Sequence, residues 1–177
     1  RLVSRAEASA LAGIGLTHGG ILLPTAGWLN PRAITETLLN HERITMQPYS
    51  KVGKVNSKFI EHELVIGTAG GIKKIRGNTV IIASSVESKQ FTPMPIPLTP
   101  VRGQVTELNC DLGLKIPLCG NVYLTPSDGM LMTCGATYRP KSSDYEPDPN
   151  DDLLNLNSTN ALLVEKSLKV IDIFGQR

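Results

Sequence analysis

The chain has 177 residues, 41% hydrophobic and 19% charged, which excludes a disordered or coiled-coil class and suffices for one domain with a real core. Aromatic residues make up only 5%, too few for a stacked single-strand nucleic-acid platform, and a net charge of +2 implies no strong field for polyanions. No apolar run approaches the ~20 residues that span a bilayer.

The 16 glycines and 12 prolines favour a turn-rich chain with many strands. Glu7 to Leu11 reads as a short helical turn. Gly19-Gly20 leads into a short strand through Ile21, Leu22 and Leu23. Asn30-Pro31 is a helix start, with Asn as N-cap and Pro at the first helical position. That helix runs through Ile34, Leu38 and Leu39 on one apolar face and ends near His41.

From there the period changes to two. Ile44 to Gln47 and Lys51 to Val55 read as strands. Glu61 to Thr68 and Gly71 to Ile75 flank Ala69-Gly70, a hairpin signal. After the turn Gly77-Asn78, Thr79 to Ala83 reads as a buried strand. Pro93, Pro95, Pro97 and Pro100 make Thr92 to Pro100 an extended crossover between two lobes. Gly103 to Leu108, Val122 to Thr125 and Met130 to Thr137 are further strands, the last two separated by the turn Pro126-Ser127-Asp128-Gly129. The segment from Asp151 to Ile173 is expected to be helical through Leu153, Leu154, Leu162, Leu163 and Leu168. The fold class expected is α+β: a mixed, mostly antiparallel sheet with a few packed helices.

Candidate sites are sparse. The glycines at 13, 15, 19 and 20 break the Gly-x-Gly-x-x-Gly spacing that aims backbone N–H groups at a pyrophosphate, so they read as turns. Asp144 to Asp152 lacks the regular spacing of a metal loop, and its acids suit the N-terminus of a helix. No metal site is expected. Lys73, Lys74 and Arg76 are either a solvated hairpin edge or a phosphate contact. Cys110, Cys119 and Cys134 form no Cys-x-x-Cys pair and read as reduced thiols of a cytoplasmic protein. No Ser-His-Asp order or His-Glu-x-x-His stands out. Tyr123 and Tyr138 are placed on adjacent strands.

Three segments together resemble one family. They are Glu7 to Gly13 with His18-Gly19-Gly20-Ile21-Leu22-Leu23-Pro24 and Gly27-Trp28-Leu29-Asn30-Pro31; Pro100-Val101-Arg102-Gly103-Gln104-Val105; and Tyr123-Leu124-Thr125-Pro126 with Gly135-Ala136-Thr137-Tyr138. Their order resembles the interior of the glycine oxidase/D-amino acid oxidase-like flavoproteins. The form Gly-Gly-x-x-x-Pro-x-x-Gly-Trp-Leu-x-Pro from Gly19 to Pro31, followed by Gly135-Ala136-Thr137-Tyr138, is more narrowly similar to the FAD-dependent oxidoreductase part of the bifunctional tRNA 5-methylaminomethyl-2-thiouridine biosynthesis proteins.

That resemblance implies a two-lobe FAD-dependent oxidoreductase acting on a CH–NH group. The implied substrate is a carboxymethylaminomethyl group on wobble uridine of tRNA, oxidised to an imine that hydrolyses and releases glyoxylate. It implies Tyr123 as the group contacting the substrate carboxylate, with Arg102 and Gly103 in the strand that passes near the flavin. It implies Val52 on the adenine side of FAD, and Ala83 and Ser84 in a turn beside the cofactor, here without the family's glycine. The implied division is residues 1–30 as substrate-lobe entry, 31–95 as the second half of the FAD lobe, and 96–177 as substrate-lobe sheet and terminal helix.

The family's dinucleotide fingerprint is expected before Arg1 and its substrate-clamping Arg after Arg177. The chain is therefore read as an internal piece that alone neither holds FAD tightly nor turns over. Apolar surface left where flanking segments pack favours a homodimer. The rival readings are an oxidase of a small amine such as glycine or sarcosine, and a flavin-free module that binds tRNA or a partner. A methyltransferase domain upstream selects the tRNA enzyme.

Overall fold

A computed structural model describes residues 1–58, 60–165, 168 and 173–176. In chain order the elements are β1 (Leu2–Val3), α1 (Arg5–Ala12), β2 (Gly20–Ile21), α2 (Pro31–Leu39), β3 (Lys51–Ser57), β4 (His62–Thr68) and β5 (Gly71–Gly77). A 3-10 turn (Ser85–Phe91) follows, then β6 (Val101–Arg102), β7 (Val105–Asn109), β8 (Leu118–Cys119), β9 (Tyr123–Leu124), β10 (Leu131–Gly135), β11 (Arg139–Pro140), α3 (Pro149–Asn160) and β12 (Ile173–Gln176). They form two units, one of Arg1–Leu29 with Pro100–Arg177 and one of Asn30–Thr99.

The first unit is built on an antiparallel sheet in the order β12-β7-β10-β9-β8. Side chains alternate along its strands. Thr106, Leu108, Met132, Cys134 and Leu124 are buried, while Val105, Glu107, Thr133 and Tyr123 between them are only half-buried. The buried set packs with Ala12 of α1, Leu156 of α3, and Leu16, Leu114, Leu163 and Leu168. The helix α1 starts at Ser4, whose side chain accepts from the Glu7 N–H, and stops at Gly13 in the left-handed region at φ +80°. Around the turn Pro126 to Gly129, Asp128 pairs with Leu131 and Gly129 takes φ +70°.

The second unit holds α2 and the three-stranded meander β3-β4-β5. Asn30 caps α2 by accepting from the N–H groups of Arg32 (3.0 Å) and Ala33 (3.2 Å). The two-residue turn Ala69-Gly70 joins β4 to β5 in register, Thr68 opposite Gly71. A bulge at Gly53 interrupts the pairing of β3 with β4. The interior residue of this sheet is Ile66 of β4.

The α+β expectation is met, with three corrections. Ile44 to Gln47 forms no strand. Thr79 to Ala83 forms none either, and Ile81 is 86% exposed. Both runs carry strand composition, but a strand exists only with a partner to complete its ladder, and none pairs with them among the described residues. The last helix ends at Asn160, well short of Ile173; residues 166, 167 and 169–172 of that expectation lie outside the described residues. Beyond it the backbone turns to pair with the segment after α1: the Thr17 N–H donates to the Leu162 carbonyl and the Val164 N–H to the Gly15 carbonyl, each at 2.9 Å. The buried face of α3 is Asp151, Asp152, Asn155, Leu156 and Thr159, not Leu153 and Leu154, which are exposed. Among the described residues no helix is long and apolar enough to cross a membrane.

Leu108→Ala should destabilise the protein by about 2–5 kcal/mol, as expected for a fully buried leucine at the centre of the sheet. Leu38→Ala, on a helix with no buried residue, should change stability by no more than about 0.5 kcal/mol. Urea unfolding midpoints measure both.

Candidate functional site on the central sheet

Two carboxylates enter the interior on the first turn of α3. Asp151 and Asp152 are essentially inaccessible. Asp148, the N-cap, accepts from the Asn150 N–H at 2.9 Å, and that bond, followed by Arg139, holds its carboxyl below the ordinary range. Asp151 is paired with Arg102, and its other oxygen lies 2.5 Å from Arg139. Asp152 accepts from Gln104 Nε2 at 2.9 Å and Thr106 Oγ1 at 2.7 Å.

Gln104 connects these groups. Its Oε1 accepts from Arg102 Nη2 and from the Asp148 N–H, both at 2.8 Å. Its backbone exchanges bonds with Thr137, and its carbonyl accepts from Asn155 Nδ2 at 2.9 Å. Gly103 between them needs to be bare, because a Cβ there would stand 2.8 Å from the Thr137 carbonyl oxygen. The Arg-Gly-Gln run 102–104 therefore locks α3 and the Thr137 segment to one edge of β7.

The opposite face of the sheet carries Val105, Glu107, Tyr123 and Thr133, all half-buried. One rung runs Cys119, Tyr123, Gly135, Val105. Its centre carries no side chain. Gly135 has φ +149°, and a Cβ there would lie 3.2 Å from Val105 Cα and 3.3 Å from the Gln104 carbonyl. That Cβ would also lie 3.5 Å from Asn155 Nδ2, so the bare residue lets β10 pack closely on β7 and α3, with Val105 and Tyr123 on the strands either side, about 10 Å apart. The next rung sets Thr133 opposite Glu107, with the Thr133 N–H donating to Thr125 Oγ1 at 3.1 Å. Burial pushes the Tyr123 phenol above its ordinary pKa, with the neighbouring Cys134 sulfur adding to the effect. Its hydroxyl has no hydrogen-bond partner among the described residues. At neutral pH it is a protonated donor facing a half-open surface.

The sequence-derived candidates fall in both units. Tyr123, Arg102 and Gly103 lie in the first. Arg102 is buried, and its guanidinium is given to Asp151, Gln104 and the Glu146 carbonyl. Val52, Ala83 and Ser84 lie in the second unit. Val52 is half-buried on β3, an edge strand that among the described residues pairs only with β4. Ala83 and Ser84 are exposed, and the Ser84 N–H donates to Ser88 Oγ at 3.3 Å. Tyr138 leaves the sheet before β11 and is 74% exposed.

The residues that sequence reasoning missed are Gln104, Asp151, Asp152, Asn155 and Gly135. The signal for the acids was the stripe 151, 152, 155, 156, 159, one helical face, overshadowed by the leucines beside it.

A dinucleotide group needs a phosphate cradle, and glycines 13, 15, 19 and 20 do not form one. The Gly13 N–H donates to the Ser9 carbonyl, and a Cβ on Gly19 would meet the Val3 carbonyl oxygen at 2.4 Å. Gly13 and Gly19 serve close backbone passes, Gly15 faces the Val164 side chain, and Gly20 has open space around it. What this unit offers a flavin is the half-buried sheet face that carries the Tyr123 phenol. No cluster of His, Cys, Asp or Glu among the described residues is arranged to hold a metal.

Cys110, Cys119 and Cys134 are free thiols, and burial pushes Cys134 up to about 11. The unfolded thiol ionises from about pH 9, so the unfolded state sheds its proton first and stability falls as pH rises from 9 to 11. Urea unfolding at pH 8 and pH 10 should show a loss of about 1 kcal/mol from this group. Cys134→Ala should remove that part of the dependence; an unchanged dependence in the variant would contradict the assignment.

The family model described as FAD dependent oxidoreductase (DAO) matches residues 1–173. The tRNA 5-methylaminomethyl-2-thiouridine biosynthesis bifunctional protein MnmC of Marinobacter nauticus is 32% identical over 91% of this chain and 26% of its own length. The protein of the same name from Idiomarina loihiensis is 33% identical over 88% of this chain and 26% of its own. The chain thus spans about a quarter of the length of these relatives. The crystal structure of glycine oxidase from Geobacillus kaustophilus superposes with a TM-score of 0.82 at 16% identity, over 99% of this chain and 49% of that one, a likeness of fold. By the family match over nearly its whole length, the chain belongs to the FAD dependent oxidoreductase (DAO) family.

Proposed function

We propose that this chain is the central portion of a flavin-dependent amine oxidoreductase that removes the carboxymethyl group from carboxymethylaminomethyl wobble uridine in tRNA. The observation that carries the reading is the similarity to the bifunctional tRNA-modifying relatives across about nine-tenths of the chain. A methyltransferase domain in the same gene product and a cytoplasmic location belong to it. So does the division at residues 1–30, 31–95 and 96–177 into substrate-lobe entry, FAD-lobe portion and substrate-lobe sheet.

When bound, FAD would supply a two-electron acceptor for the hydride on the carbon beside the substrate amine, and hydrolysis of the resulting substrate imine would give the aminomethyl nucleoside and glyoxylate. The residues that would hold the cofactor are Val52 through its backbone, Ala83, Ser84 and Gly103. Tyr123 donates its phenol proton in a hydrogen bond to the substrate carboxylate. Its raised pKa keeps that proton in place at neutral pH. Val105, Thr133 and Tyr123 make up the half-buried sheet face that the substrate approaches. Arg102 does its work at one remove, by fixing the 102–105 edge against α3.

The test is glyoxylate release by the gene product that contains this chain. Turnover of carboxymethylaminomethyl tRNA is expected. Turnover of glycine or sarcosine without tRNA turnover would select a small-amine oxidase, and a protein without flavin absorbance would select a binding module. Tyr123→Phe should weaken substrate binding by about 1.5–3 kcal/mol, the scale of one hydrogen bond to a charged group. KM for the tRNA substrate measures this, and an unchanged KM removes Tyr123 from the site.

A further inference from the structure

The modest net charge of the chain conceals an uneven distribution. The unit Asn30–Thr99 carries nine Lys and Arg against five Asp and Glu, so it is +4, and the remainder of the chain is −2. Much of that positive charge lies on one face of the β3-β4-β5 meander. The register aligns Lys54 with Val65 and Lys74, Asn56 with Glu63 and Arg76, and Lys51 with Gly67 and Ile72. Partners directly opposite one another in an antiparallel sheet share a face. Lys51, Lys54, Lys74 and Arg76 are therefore on the same side, and all four are exposed.

The other side is the one with the buried residue. Val52 aligns with Ile66 and Lys73, and Val55 with Leu64 and Ile75. Lys73 thus separates from Lys74 and Arg76, although the three are near neighbours in sequence.

Four cations share the outer face with one acid. Glu63 lies 3.1 Å from Lys74 Nζ and 3.5 Å from Arg76 Nε, and Lys74 foremost holds its carboxyl below the ordinary range. Lys51 and Lys54 have no acidic partner among the described residues. A sheet edge guarded against aggregation needs charge on the edge strand alone. Here the cations stand on both outer strands, β3 and β5, with the strand between them bearing the acid. None of the described residues of β3, β4 and β5 is aromatic, so these strands offer charge and not base stacking.

We propose that this face binds the sugar-phosphate backbone of the RNA substrate, contributing affinity without reading sequence. The proposal rests on the tRNA reading above and assigns this part of the binding surface to Lys51, Lys54, Lys74 and Arg76.

Filter binding of tRNA to the gene product that contains this chain, over a range of salt concentrations, tests it. The variant Lys51→Gln/Lys54→Gln/Lys74→Gln should raise the dissociation constant about tenfold or more near 0.1 M salt, and lower the slope of log K against log salt by about 2. The control Arg32→Gln/Arg43→Gln/Lys73→Gln removes the same charge from the same unit off this face and should have a much smaller effect. Glu63→Gln adds one net positive charge to the face and should tighten binding, a gain that misfolding cannot mimic. Equal losses in the two triple variants, or a Glu63→Gln variant that binds no more tightly, would overturn the surface while leaving the tRNA reading intact. A wild-type protein that binds no tRNA would overturn the tRNA reading itself.

Discussion

The structure of the first unit depends on the burial of two acids on one helical turn. A carboxylate taken out of water without compensation costs several kcal/mol. Asp151 and Asp152 are both enclosed, so the groups around them are constrained to be where they are. Arg102 and Arg139 supply the countercharge to Asp151, and Gln104 and Thr106 supply two donors to Asp152. The N-terminal position adds the favourable end of the helix dipole. A hydrophobic helix face would hold α3 on the sheet as firmly. The polar one fixes its rotation and its register against β7, because each donor has one acceptor to meet.

This arrangement has a consequence for the site. With Thr106, Cys134 and Leu124 packed toward the helices, the alternation of the strands assigns Tyr123, Thr133 and Val105 to the other face. Gly135 places no side chain on that rung, and its backbone passes close to Val105, to the Gln104 carbonyl and to Asn155 of α3. The charged network therefore acts on the candidate site through the sheet, without contributing an atom to its surface. Charge is treated differently in the second unit. There the cations remain in solvent, where an exposed ion pair adds little stability and a surplus of one sign is free to act on a partner.

Much of this was legible in the sequence. The cap Asn30-Pro31, the hairpin at Ala69-Gly70 and the turn at Pro126 to Gly129 follow from local chemistry, and each sits where that chemistry puts it. The strands of the first unit were readable from their alternation. Thr79 to Ala83 was not, because a strand is a property of a pair and the run itself shows only composition. The helix α3 misled in the opposite sense: its leucines suggested the buried face, and the buried face is polar. Burial of acids shows in sequence only when the matching donors are known, and Arg102 and Gln104 lie more than forty residues away from them. For the same reason Arg102, legible as part of a family motif, was not legible as the partner of Asp151.

The claim that Arg102 and Asp151 are coupled, and that their pair fixes α3 to the sheet, is tested most directly by a double-mutant cycle on stability with Arg102→Met, Asp151→Leu and both together. The account predicts a coupling energy of about 2 kcal/mol or more, with the double variant more stable than the less stable single one, since each single variant leaves a buried charge behind. Additivity of the two single effects, with a coupling energy near zero, would contradict it.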